Sequence, residues 1–153
     1  MREDLVDRRE SSTTLSGCNL EGIANSLIGI PYTRLGRDPD IGLDCWGLVI
    51  EFYRRMGVQL EDPVSSYTED WWKQKDYVSA YADREFDKID NPEAGAVMTM
   101  KVKGSDVHNH MAVLLSDSEV INSQEIIGVH RIKLYAIRHF EYAIYRCRKI
   151  NIV

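Results

Sequence analysis

Apolar residues recur at Leu20, Ile23, Ala24 and Leu27, three and four positions apart, which predicts one face of a helix. Gly29 and Pro31 then end it. Residues 33–43 hold Gly36, Pro39 and Gly42 among alternating charges and predict an exposed loop. The next stripe, Cys45, Leu48, Val49, Phe52 and Met56, repeats the helical spacing with sharper boundaries. Asp44 is placed to cap its first turn and Gly57 to stop it. Arg54 and Arg55 fall in the last turn, where cations meet the negative end of the helix dipole. A third helix is predicted over residues 68–82, carrying Trp72 and Tyr77, with Thr68 or Asp70 as its cap.

Beyond Pro92 the period changes. Short extended runs rich in Val, Ile, Met and Tyr cover residues 95–102, 110–115, 119–122, 126–132 and 142–147. The turn-forming stretches KGSD, SDS and NSQE divide several of them. Helices first and strands after predict an α+β domain, with N-terminal helices packed on a central antiparallel sheet. Residues 1–15 are polar, with SSTT toward their end, and predict a flexible arm ahead of one domain over 16–153. Trp71, Trp72 and Tyr81 fit a core or a partner surface, the core being the commoner use of such a cluster.

Composition narrows the classes. A chain of 153 residues, 44% hydrophobic and 28% charged, suits one soluble globular domain. A net charge of −5 gives no general attraction to nucleic acid or to an anionic membrane. Apolar runs such as residues 111–115 are too short to span a bilayer. The first ten residues carry seven charges and no apolar run, unlike a secretory signal peptide, so synthesis in the cytoplasm without one is expected. Three cysteines, Cys18, Cys45 and Cys147, are odd in number and lack a CxxC spacing, so no disulfide scaffold is expected.

Cys45 follows the cap Asp44 and so lies in the first turn of its helix. There the unpaired N–H groups and the positive dipole end lower a thiol pKa and can receive the oxygen of a reacting carbonyl. The neighbouring Asp44 charge opposes the first effect. The bland alternative is a small buried hydrophobe in the core stripe, which is how free cysteines are commonly used. His110 opens the HMAVLL strand, and a hairpin through Ser116-Asp117-Ser118 returns Asn122 toward it. An Asn there can hold one ring nitrogen and so fix the tautomer of the other. Cys, His and Asn then form a nucleophile, base and orienter. His108 is the natural rival of His110, and a lone strand-end histidine is more often a surface residue. A metal site on Cys45, His108 and His110 lacks the usual ligand spacing. No cofactor is expected.

The stretch IGIPYTRLGRDPDIGLDCWGLVIEFYRRMGVQLED resembles the first motif of the NlpC/P60 family, where a PY pair and a Gly-containing loop precede the D-C-[S/W]-G helix start. HMAVLLSDSEVINS resembles that family's second motif, the strand pair opened by its histidine. The DCWGL form is most similar to the phage tail-associated branch. The resemblance implies a papain-like fold that hydrolyses amide bonds in peptidoglycan stem peptides, by further implication the γ-glutamyl link to a diamino acid. It gives Cys45, His110 and Asn122 the catalytic roles. It makes Tyr32 a contact beside the nucleophile, Asp44 a receiver of the stem peptide's free amine, and Trp46, at the position of a substrate-binding Ser, a further substrate-binding residue. The partners it implies are a stem peptide and other phage tail-tip proteins, with action at the host cell wall. The chain departs from the pattern at Pro92-Glu93-Ala94-Gly95-Ala96-Val97, which lacks the family's Asp, and at Ala112. Two other readings compete: a tail-tip structural protein with weak or lost catalysis, and an amidase or acyltransferase acting on lipid or protein.

Overall fold

The computed structural model describes residues 13–14, 19–62, 78, 82 and 84–151. Asn19 caps α1 (Leu20–Leu27) by accepting from the Gly22 N–H at 2.9 Å. A small ribbon of β2 (Arg37–Asp38) and β3 (Gly42–Leu43) follows, inside the span predicted as loop. α2 (Cys45–Arg55) is capped as predicted, Asp44 accepting from the Gly47 N–H at 2.7 Å. Gly57 takes a positive φ of 92° just past its end, a conformation glycine adopts without a Cβ penalty. Of the predicted third helix, Val78 and Ala82 are helical and buried; Trp71, Trp72, Tyr77 and Tyr81 lie outside the described residues, as does Cys18.

The remaining strands are β4 (Phe86–Ile89), β5 (Val97–Met100), β6 (His110–Leu114), β7 (Glu119–Gln124), β8 (Gly128–Lys133) and β9 (Tyr142–Cys147). They form one antiparallel sheet in the order β4-β9-β5-β6-β7-β8, and the domain is α+β. β4 was not predicted, nor was the single helical turn α3 (Leu134–Ile137). β1 (Thr13–Thr14) pairs in parallel with β10 (Ile150–Asn151), so the predicted arm ends in a strand. Among the described residues no helix is long and apolar enough to cross a membrane.

Both sheet faces are covered. Val97, Met111, Val113, Ile121 and Tyr145 pack toward α2, whose Trp46, Leu48, Val49, Phe52 and Tyr53 show no exposed surface. The alternate residues Met98, Met100, Ala112, Leu114 and Ile144 pack beneath Leu134 and Ile137. This alternation follows from the two-residue period of a strand.

Two local features place the candidate site residues. β6 and β7 pair only at Val113↔Ile121 and Leu114↔Val120, then part toward His110 and Asn122. The start of α2 lies at that parting: Ser123 Oγ donates to the Leu43 carbonyl at 2.7 Å, and the Met111 N–H points at Cys45 Sγ. The second feature is the approach of the preceding loop to the helix. A Cβ on Gly47 would stand 2.0 Å from the Gly36 carbonyl oxygen, so only glycine allows the loop to lie against the first turn.

Candidate active site

Cys45, His110, Asn122, Tyr32 and Asp44 line one cleft of about 450 Å³. Four parts of the chain bring them there. Tyr32 follows a segment tied to the sheet edge, where the Gly29 N–H donates to the Val129 carbonyl at 3.0 Å and the Val129 N–H donates to the Ile30 carbonyl at 2.9 Å. On its other side the Leu43 N–H donates to the Pro31 carbonyl at 2.9 Å. Cys45 and Asp44 come with the capped helix start, His110 with the first residue of β6, and Asn122 with β7.

His110 Nε2 and Asn122 Oδ1 lie 3.1 Å apart. The Asn122 amide is oriented by its own Nδ2, which donates to the His130 carbonyl at 3.5 Å, so Oδ1 accepts from the ring and Nε2 carries the hydrogen. The unprotonated nitrogen is then Nδ1, the one available as a base. Burial lowers the His110 pKa; the Asn122 hydrogen bond opposes this, while His130 and Lys103 add to it. The ring is therefore held toward its neutral form. His108 is not part of the cleft: its Nδ1 lies 2.8 Å from Thr99 Oγ1, and the ring is buried there.

Cys45 is 4% exposed. Burial, and then the Asp44 charge, pushes its thiol up to about 12, against the helix-start expectation of a lowered value. The N–H groups of Met111 and Trp46 and the Arg37 charge act in the expected direction, but desolvation outweighs them. Tyr32 is also held above its usual value, by burial first and then by Cys45, Asp44 and Glu125, with Arg34 opposing. Its hydroxyl stays a donor at neutral pH.

Asp44 is 2% exposed. Its Oδ1 accepts both from the Gly47 N–H and from Arg37 Nη1, at 2.7 and 2.8 Å. Burial raises its pKa, and Arg37 and the Gly47 N–H oppose the rise. Trp46 requires a correction. It is 0% exposed and packs in the core behind the helix, so it has no surface to offer a substrate.

Three features were not expected from the sequence. Arg37 folds inward onto Asp44. Lys103 Nζ and Glu125 Oε1 meet at 2.6 Å at the rim of the cleft, joining the β5–β6 loop to the β7–β8 turn. Met100, Val102, Ile137 and Phe140 give the cleft an apolar wall. The last could be anticipated only from the sheet order, because Met100 sits opposite His110 in the β5–β6 register.

The family model described as NlpC/P60 family matches residues 29–147. No curated protein sequence matches the chain. Among solved structures, an NlpC/P60 family protein from Bacillus cereus aligns with a TM-score of 0.65 at 20% identity, over 91% of this chain and 42% of that one. The NlpC/p60 domain of the peptidoglycan hydrolase SagA aligns at 0.54 and 19%, over 82% of this chain and 94% of that one. NlpC1 from Trichomonas vaginalis aligns at 0.63 and 14%, over 88% and 46%. The chain thus spans less than half the length of the Bacillus cereus and Trichomonas proteins, and these likenesses concern the fold.

Proposed function

The chain belongs to the NlpC/P60 family, and from that premise we propose that it is a cysteine peptidase or amidase cleaving amide bonds in peptidoglycan stem peptides. The observation that supports this best is the gathering of Cys45 and the Asn122-held His110 in one open cleft. In this reading the resting pair is a neutral thiol and a neutral imidazole. As substrate arrives, His110 Nδ1 takes the thiol proton while Sγ attacks the carbonyl carbon. The oxygen gains charge beside the Cys45 N–H, which has no acceptor among the described residues. His110 then returns the proton to the departing amine, leaving a thioester. Water attacks it with His110 again as base, and the acid and free thiol are released.

Asp44 lies on the floor of the same cleft. With Oδ1 taken by Gly47 and Arg37, Oδ2 is the oxygen that receives an ammonium group of the stem peptide. The bond is the γ-glutamyl link to a diamino acid, and the DCWGL form supports a phage tail-tip origin with action at the host cell wall. Incubation with purified muropeptides tests the activity. The intact protein is expected to split them into two products with a new amine, and Cys45→Ala to leave them whole; unchanged muropeptides with the intact protein count against the reading. One observation favours the rival role of a tail-tip structural protein with little catalysis, namely the burial of the sulfur. Under that reading Cys45→Ala leaves every function of the particle unaltered.

A further inference from the structure

We propose that Arg37 is a positioning residue for this reaction, holding the Asp44 carboxylate charged and turned so that one oxygen caps α2 while the other faces the cleft. The inference rests on the functional reading above, in which Asp44 receives an ammonium group. Arg37 is 19% exposed, and its partners include Asp44, the Gly36 carbonyl and Asp62. Nη1 donates to Asp44 Oδ1 at 2.8 Å and to the Gly36 carbonyl at 2.9 Å. Nε faces both oxygens of Asp62, at 3.0 and 3.2 Å.

Each contact has a separate consequence. The Gly36 carbonyl is the atom that lies against Gly47, so Arg37 ties down the loop that presses on the first helical turn. Asp62, in the chain just beyond α2, anchors the guanidinium from the other side. The bond to Oδ1 fixes the rotation of the carboxylate and leaves Oδ2 without a partner among the described residues. A single guanidinium can do this because its planar fork offers several donors in fixed directions; a lysine offers one point charge.

The charge matters as well as the geometry. Among the described residues, the ionisable groups that act on Asp44 are Arg37 from β2, Asp62 beyond α2, Cys45 on α2 and Tyr32 before β2, while Arg34, Lys103, His110 and Glu125 line the same cleft. Of the four that act on Asp44, Arg37 alone is cationic. Without it a buried carboxylate beside Asp62 gains its proton at higher pH. A protonated Asp44 no longer attracts an ammonium group, and the amine end of the substrate loses its anchor.

Two measurements on the Cys45→Ala protein, which binds without turning over, decide the matter. The first follows the Asp44 carboxyl carbon through a pH titration by NMR. The second compares binding of a tripeptide, L-alanyl-γ-D-glutamyl-diamino acid, with its N-acetylated form by calorimetry. In Arg37→Met the Asp44 midpoint is expected to rise by about one pH unit or more. The free-amine peptide is expected to lose affinity on the order of tenfold, the acetylated peptide little. Arg37→Lys keeps the midpoint near that of the parent but loses part of the preference for the free amine. Arg37→Gln, which retains a donor without the charge, serves where Arg37→Met does not fold, and its midpoint rises. An unmoved midpoint overturns the proposal, and so do equal losses for both peptides, since a purely structural clamp gives those. If the parent binds neither peptide, the functional reading falls, and the titration still decides whether Arg37 governs the charge of Asp44.

Discussion

The reactivity of the Cys45 sulfur tests the neutral-pair chemistry directly. The thiol is pushed up to about 12 from an ordinary value of 9.0, chiefly because it is buried. At pH 7 that leaves about one sulfur in 10⁵ as thiolate, against about one in 10² for an ordinary thiol. The difference, on the order of 4 kcal/mol, makes alkylation by iodoacetamide roughly a thousandfold slower, because the thiolate is the attacking form. The measurement is the mass-resolved rate of Cys45 alkylation in the folded protein between pH 6 and pH 10, with a small peptide thiol as the standard. The expected profile climbs about tenfold per pH unit without a plateau in that range. Asp44→Asn removes the second cause of the shift and is expected to speed alkylation, though burial keeps it well below the standard. Hydrolysis of muropeptides should persist at neutral pH throughout, since His110 draws the proton only during attack. Fast alkylation levelling off below pH 8 would show a standing thiolate paired with a charged imidazole, and the neutral-pair account would be wrong.

Three further outcomes follow from the same geometry. His110→Ala is expected to lower kcat by about 10³-fold or more and Asn122→Ala by about 10- to 100-fold, because the second removes orientation and not the base; His108→Ala, whose ring rests on Thr99, should change kcat little, and steady-state kinetics separates the three. Gly47→Ala sets a Cβ 2.0 Å from the Gly36 carbonyl, so it should cost about 1–3 kcal/mol in denaturant unfolding and reduce activity as well. The raised Cys45 pKa stabilises the fold fully below the unfolded thiol value near 9.0, and this is lost as pH rises toward about 12; Cys45→Ala should therefore flatten that part of the stability profile relative to the parent, and an identical slope in the two proteins refutes the assignment.

How far the sequence reached depended on whether a signal was local. The cap at Asp44, the stripe of α2 and the alternation in β6 and β7 are written in neighbouring residues, and they appear where expected. The hairpin spacing likewise brought Asn122 to His110. What periodicity could not show is that α2 is buried on more than one side. The stripe marks the face toward the sheet, but the loop carrying Gly36 covers another, and Trp46 disappears into the core. Desolvation of Cys45 has the same origin: a helix start attracts charge, yet the enclosing elements come from distant parts of the chain. The charges of residues 33–43 read as solvated, whereas Arg37 turns inward because a buried Asp44 needs a counter-ion. β4 is illegible in the sequence because its four residues, FDKI, hold two charges and no apolar alternation, and α3 because a single turn is too short to show a helical period.

The parting of β6 from β7 bears on when this molecule acquires chemistry at all. The sulfur and its proposed base are carried by opposite halves of the chain, and they come together only where the helix start lies beside two strands whose pairing has ended. A nascent or partly melted chain can hold a complete α2, or a complete hairpin, and still have no reactive pair. Under the proposed function, activity reports the docking of the two halves and not the formation of either, so hydrolysis should fade on heating before helix and sheet signals do.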